Sequence, residues 1–343
     1  MNDRHKKILT VISAIVFIVI IFIGVVTYIF RMDTPAVVYV RQALHFPAVI
    51  VDGVWISMKE MEENTLSIKQ FYENQDFSSY GIRIDFTTDD GKKRLKIEQK
   101  KMLNKLIEDK AIAAIAKEWN ISISDEAVQT AMDRPMDEAG TRESVKEQLK
   151  NLYGWTLDDF GRKVVYEQLL RRKVSEEFDK KNVATDAMHE QINKAKKELD
   201  DGRTFADVAT KYSNGSTASE GGVMGWFAAS DLQKEIGDKI FTMEKGTYTD
   251  VIETSLGLHI VQINDVAEKD GIKLMHVSQI IVKKQTFAQF LEEKIKKMNV
   301  KIFLPQYVWD KENGLIIFKD DDMKAFEEKM RTEEAEAQNA SSK

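Results

Sequence analysis

Apolar residues are arranged along this chain in distinct ways, and each arrangement predicts a different element. The first is continuous. Ile8 to Phe30 runs for 23 residues without a charge and is dense in Ile and Val. A helix of that length rises far enough to cross a hydrocarbon layer of roughly 30 Å, so the run predicts a transmembrane anchor over 8–30. Arg4, Lys6 and Lys7 precede it and Arg31 follows. On the positive-inside rule, residues 1–7 form a cytoplasmic tail and the bulk of the chain is extracytoplasmic. The flank TYIFRMDTPAV carries no small-x-small cleavage site, which argues against a removable signal peptide.

Short alternating runs come next. After a linker over 31–47, AVIVDGVWI reads as strand, Asp-Gly turn and strand over 48–56. Ser57 with Glu60 three residues later forms an N-cap box for a helix carrying Met61, Leu66, Ile68 and Phe71. The polar stretch 74–93, with TTDDGKK inside it, reads as a surface turn. Helical spacing then takes over. Leu103, Ile107, Ala111 and Ile115 mark a helix over about 95–118, and Ser124 caps the next. Further helices are expected near 124–133, 141–152 and 156–178, the last with Phe160, Val164, Val165, Leu169 and Val174 on its apolar side.

A second unit begins near 184. Met188, Ile192, Ala195 and Leu199 lie on one helical face, and Phe205, Val208, Ala209 and Tyr212 on a shorter one. A Ser, Thr and Gly loop leads to a helix over about 230–241. VIETSLGLHIVQINDV reads as two strands around a turn at Ser255 to Gly257, and 272–282 as another strand. A helix over 286–298 comes next, then short strands in 300–309 and 315–318. After Phe326 the chain turns Glu-rich and ends AEAQNASSK, which reads as a disordered, charged tail over 319–343.

Composition removes several functions. The formal net charge is -6 with 50 Lys and Arg against 56 Asp and Glu, and no basic concentration offers itself to nucleic acid. The absence of cysteine excludes disulfides, thiolate catalysis, cysteine metal sites and a lipidated cysteine anchor. Gly221, Gly222 and Gly225 match no phosphate-binding pattern and read as turn glycines. His189-Glu190 has no second histidine at metal-ligand spacing, and the scattered Ser, His and Asp form no hydrolase motif. No cofactor or metal is expected. Trp119, Trp155 and Trp309 share no spacing and read equally as core or as client contacts.

The run TFADVATKYSNGSTASEGGVMGWF, then LQKEIGDKIFTMEKGTYTDVIETSLGLHIVQI, resembles a parvulin-type peptidyl-prolyl isomerase domain over about 186–266. The spaced elements that carry the likeness are the FADVATKYS helix, Gly221-Gly222, Gly225-Trp226-Phe227, the EKG turn and Gly257-x-His259-Ile260. The preceding 48–178, through VDGVWISMKEME, LNKLIEDKAIAAIAKEWNISISDEAV and LYGWTLDDF, is similar to the N-terminal region of the SurA, PrsA and PpiD class of folding factors. The resemblance implies an all-α chaperone region over 48–183 and an α+β parvulin-like domain with an antiparallel sheet over 184–318. It also implies unfolded or newly secreted polypeptides as clients, placed by the anchor on the outer face of a bacterial cell membrane.

Rotation about a prolyl bond needs no covalent chemistry. It needs the amide twisted and desolvated, with an apolar socket for the ring and polar groups near the carbonyl. The resemblance implies a socket of Met224, Leu232 and Ile236, with Phe227 beside it, and makes His259 the polar residue of the last strand. Ile236 stands where the family has Phe, and Gly215 where it often has Cys or Asp. The family's first strand is missing from its usual place, since EEFDKKNVATD is no buried strand. LMHVSQIIV over 274–282 resembles that strand and places Gln279 at the position of a family histidine. Supplying the strand from the C-terminal side would make a circular-permutation-like arrangement; the alternative is a truncated second repeat beginning at 272. Strand alternation puts His276 and Gln279 on opposite faces. Two functions therefore stand side by side: a tethered chaperone with a parvulin-like cleft that binds, and an active prolyl isomerase.

Overall fold

The computed structural model describes residues 22–25, 27, 34–75, 85–139 and 141–341. It divides into one unit built from the chain up to Val174 together with Leu291–Lys343, and a second formed by Ser175–Phe290.

The anchor expected over 8–30 is corrected. Among the described residues no helix is long and apolar enough to cross a membrane. Most of 8–30 lies outside the described residues, along with the cytoplasmic tail expected over 1–7. The expected linker instead holds helix α1 (Pro35–Ala43), whose nine residues rise about 14 Å, under half of a hydrocarbon layer. Its Arg41 pairs with Glu62. The spanning helix, the bilayer as a partner through 8–30 and the single-pass membrane placement accordingly find no support among the described residues.

In the first unit β1 (Pro47–Val51) and β2 (Val54–Ser57) form the hairpin that AVIVDGVWI predicts. Asp52 and Gly53 both take positive φ (47° and 84°), as a tight hairpin turn requires. The Ser57 hydroxyl accepts from the Glu60 N–H at 3.0 Å and opens α2 (Met58–Asn74). Met61 is buried as the spacing predicts, but Leu66 is exposed. Helix α3 (Asp89–Glu118) starts earlier than expected. Thr88 caps it by accepting from Gly91 N–H at 3.0 Å, and Asp89 and Asp90 sit at its positive end, so the polar DDGKK run is the first turn of a helix. Leu103, Ile107, Ala111 and Ile115 are buried along it. Then come α4 (Asp125–Ala139), α5 (Arg142–Tyr153) and α6 (Leu157–Phe160), a π-helical turn over Gly161–Val165, and α7 (Tyr166–Lys181). Sequence periodicity gave no sign of the π turn.

The second unit contains α8 (Asp186–Asp200), α9 (Phe205–Tyr212), β3 (Val223–Phe227), α10 (Lys234–Ile240), β4 (Ile252–Glu253), β5 (Gly257–Lys269) and β6 (Ile272–Lys283). Its antiparallel sheet has the order β3-β6-β5-β4. β5 and β6 form a long hairpin around Asp270-Gly271, both at positive φ (53° and 76°). The strand at 272–283 therefore sits inside the sheet between β3 and β5 and begins no second repeat. One face packs Leu258, Ile260, Ile280 and Val282 on α8 and α9; the other packs Val261, Ile263, Met275 and Val277 on α10.

Helix α11 (Phe287–Lys297) carries the chain back to the first unit, where β7 (Val300–Ile302), β8 (Tyr307–Asp310), β9 (Leu315–Phe318) and α12 (Asp321–Ser341) complete it. β7 pairs antiparallel with β1, Val49 opposite Ile302 and Val51 opposite Val300. The Tyr307 hydroxyl lies 3.1 Å from both Lys96 O and Gln99 Oε1, which share its one hydrogen, and Asn104 exchanges two hydrogen bonds with the Ile316 backbone. The grouping of everything from 184 to 318 into one domain is thereby corrected. Leu291–Phe318 supplies strand and core to the unit it left. The tail expected over 319–343 is a helix through Ser341, because Met323 and Met330 give it an apolar side to bury and Glu327 pairs with the buried Lys100 of α3.

Phe318 is 1 % exposed, with its ring 5.3 Å from that of Tyr307. Replacing it with alanine is expected to cost about 3–5 kcal/mol, whereas Leu66→Ala should stay within about 0.5 kcal/mol. Urea denaturation of the full chain measures both.

Candidate functional site

The polar residues that the resemblance singles out meet on one face of the β3-β6-β5-β4 sheet. His259 lies on β5 opposite Ile281 of β6, and Gln279 lies on β6 opposite Val261 of β5, so alternation turns both side chains to the face covered by α10. His259 Nδ1 is 2.9 Å from Gln279 Oε1. A carbamoyl oxygen can only accept, so Nδ1 carries the proton and donates. Nε2 then accepts from the Thr254 hydroxyl at 2.8 Å, and Thr254 Oγ1 in turn accepts from Leu256 N–H at 3.1 Å. Both ring nitrogens are engaged and the residue is 1 % exposed. Burial holds the imidazole below its ordinary value, with the Gln279 hydrogen bond opposing in part, so His259 is neutral around pH 7.

Thr254 is a member of the site that no sequence pattern marks. It lies in ETSLG, which reads only as a turn, and its role depends on Thr254 N–H donating to Gly257 O (2.9 Å), which folds the turn back over His259. Gln279 is half-buried, and its NH2 group makes no hydrogen bond among the described residues.

The socket residues are only partly gathered. Ile236 is buried against Val261, Ile263, Met275 and Val277, and Leu232 and Phe227 pack on the same cluster. Met224 does not join them. It is the extra residue of a bulge between Val223 and Gly225 and is 38 % exposed. A second bulge, at Asn264 of β5, faces β6 at the same level. Asn264 donates to Ser278 Oγ (2.8 Å) and to His276 Nδ1 (3.1 Å), while the His276 ring lies edge-on to Trp226. His276 thus belongs to a separate cluster on the face away from Gln279, as alternation predicts. At Gly215 a Cβ would stand 2.9 Å from Ile281 Cγ2. The loop there is strapped to β6 by Asn214 N–H to Ile281 O (2.9 Å) and Lys283 N–H to Asn214 Oδ1 (2.8 Å), leaving no space for a longer side chain.

The first unit holds a separate feature, a groove of about 800 Å³ between α2, α3, α5 and the π turn. Its wall is a stack of rings: Phe71 on Tyr153 (5.1 Å, 7° between planes) and Tyr153 on Trp155 (4.8 Å, 24°). Trp155 is fixed by its indole N–H donating to Ser67 Oγ at 2.7 Å. No periodicity in the sequence connects these rings, because they come from a helix, the end of another and the loop after it.

Residues 1–174 match the SurA-like N-terminal domain family, and residues 170–265 match the PPIC-type PPIASE domain family, which stops short of β6. Foldase protein PrsA of Oceanobacillus iheyensis is 24 % identical over 172 residues, 45 % of this chain and 57 % of that protein. The chain thus spans less than two thirds of that relative. Foldase protein PrsA of Clostridium botulinum is 24 % identical over 293 residues, 74 % of this chain and 87 % of that protein. The crystal structure of peptidylprolyl isomerase (PrsA) from Bacillus anthracis is 18 % identical, covering 56 % of this chain and 85 % of that one, with a TM-score of 0.21.

A histidine held neutral by burial makes stability depend on pH with a definite sign. Its folded pKa lies below the unfolded value of about 6.5, so the unfolded state binds more protons and stability falls as pH drops below about 6.5. Thermal unfolding between pH 8 and 5 is expected to show that loss, and His259→Asn should flatten this part of the profile.

Proposed function

Given that the chain belongs to the SurA-like N-terminal domain family, with a PPIC-type PPIASE domain following, we propose that it is a chaperone that binds unfolded polypeptides. In this reading the parvulin-like domain holds proline-containing segments and accelerates their isomerisation little. The observation that carries the reading is the state of His259: it is buried, neutral, and committed through both nitrogens to Gln279 and Thr254. It has no N–H or lone pair left for a client amide, so its role is to orient Gln279.

The group that remains for a client is the Gln279 NH2. It lies beside the apolar face formed by Val261, Ile236, Leu232 and Phe227, where a proline ring would rest and its neighbouring carbonyl could accept a hydrogen bond. That arrangement binds. Lowering the rotation barrier further asks for donors or acceptors that strengthen as the amide twists, and the Cys or Asp position is occupied by Gly215 against Ile281. β6 supports the permuted reading of the domain, since it enters from the C-terminal side and lies beside His259 where the resemblance puts the first strand.

The second reading, an active isomerase, is favoured by one observation: the His259, Gln279 and Thr254 network is complete, with hydrogen bonds of 2.8–2.9 Å around the ring. Two assays of the full chain separate the readings, a proline-containing tetrapeptide and a refolding protein limited by proline isomerisation. The expected result is a rate within about twofold of the uncatalysed one, which takes tens to hundreds of seconds, with aggregation of the refolding client suppressed. Clear acceleration of both substrates, lost in Gln279→Ala, would establish the enzyme instead.

A further inference from the structure

The aromatic groove of the first unit contains charges that are almost all answered within it. Lys105 pairs with Asp109 (2.6 Å), Lys101 with Glu98 (2.9 Å) and Lys110 with Glu60 (3.8 Å). Arg162 is held by Asp158 (3.0 Å) and Asp159 (2.9 Å). Lys163 lies over the Trp155 ring, 5.5 Å from its centre, and donates to Asn64 Oδ1 at 3.4 Å. Glu167 is the exception. Among the described residues it makes no ion pair or hydrogen bond, and its Oε2 is buried without a partner.

The fold puts it there. The π turn over Gly161–Val165 inserts an extra residue into the helical path, which rotates the succeeding helix by roughly 100° relative to an uninterrupted α-helix. Lys163 and Val164 in the turn, and Glu167 at the start of α7, all line the groove with Tyr153 and Trp155. An unanswered carboxylate is costly beside apolar surface. Burial, and then the neighbouring Asp109, push the Glu167 carboxyl above the usual carboxylate range, with the charges of Lys105 and Lys110 opposing in part.

We propose that Glu167 makes this groove selective for extended polypeptide segments in which a lysine or arginine lies next to an aromatic residue. The inference rests on the reading of the chain as a client-binding chaperone and names the segments that its first unit prefers. The ring of the segment extends the stack of Phe71, Tyr153 and Trp155, and the cation takes the place left open at Glu167. An acidic segment would have to break existing pairs to find a partner, while a cationic one completes the set.

The test uses the full chain and three unlabelled decapeptides identical except for the residue beside a central Phe, which is Arg, Gln or Glu, measured by titration calorimetry. The Arg peptide is expected to bind about tenfold more tightly than the Gln peptide, the gain of one charge-assisted hydrogen bond in a half-buried site. Glu167→Gln should bring the two within about twofold, with its melting curve checked against the parent, and Tyr153→Ala should weaken all three peptides. Independently of any variant, the Arg peptide with benzophenone replacing the Phe ring should crosslink within residues 58–74 or 142–155. Equal affinities for Arg and Gln peptides, tighter binding of the Glu peptide, or crosslinks confined to 175–290 would overturn the proposal. Suppressed aggregation alongside any of these would leave the chaperone reading standing. Absence of both peptide binding and aggregation suppression would overturn the two together.

Discussion

The ladder between β5 and β6 is the interaction on which the second unit depends. It runs from Gly257 opposite Lys283 to Lys269 opposite Ile272, with one bulge, and gives β6 a partner along its whole length. With β3 paired to Met275–Ser278 on its other side, β6 is a central strand of the sheet. Its side chains then serve both faces: Ile280 and Val282 in the core under α8 and α9, Met275 and Val277 in the core under α10. Gln279 reaches His259 only because this register is held. A slip of one residue would send Gln279 to the opposite face and His276 or Ser278 out of their cluster with Asn264.

The first unit obeys the same constraint at a larger scale. β1 has β2 on one edge and would expose the other without β7, which returns from beyond residue 290. The buried Tyr307, Ile316 and Phe318 close its core over α3. Asp52 marks the seam. Its N–H donates to Asn299 O (3.1 Å), and its carboxylate accepts from Asn299 N–H (2.8 Å), next to the hairpin turn that the chain made far earlier. Chain closure between such distant segments is slow and entropically costly, but once made it locks a core that neither end could bury alone.

The two candidate sites differ in what they offer a client. On the sheet face, polar capacity is nearly consumed: His259 is satisfied internally and Gln279 retains its NH2 group. In the groove, stacked rings provide adaptable apolar contact, and one carboxylate remains open at Glu167. A polypeptide binder with weak turnover fits this division. Holding a flexible chain calls for exposed aromatic surface and few fixed polar contacts, whereas catalysis calls for groups aimed at a developing geometry.

Local order is what the sequence by itself determined. The caps at Ser57 and Ser124, the AVIVDGVWI hairpin, the apolar faces of α3, α8 and α9 and the strands β5 and β6 come from spacing of 2 or 3.6 residues and from turn chemistry. Gln279 was singled out by the resemblance, at the position of a family histidine; its place beside His259 came with the β5-β6 register. Tertiary structure decided the rest. Apolar content alone predicted a membrane span at 8–30, yet among the described residues no helix is long and apolar enough to cross one. Glu-rich composition predicted a disordered end, but two methionines and Glu327 dock the helix that forms there. The return of β7, the partnership of Thr254 with His259, the stack of Phe71, Tyr153 and Trp155, and the isolation of Glu167 all join residues with no fixed interval between them. Periodicity reports which side of an element faces inward; only packing determines what it meets there.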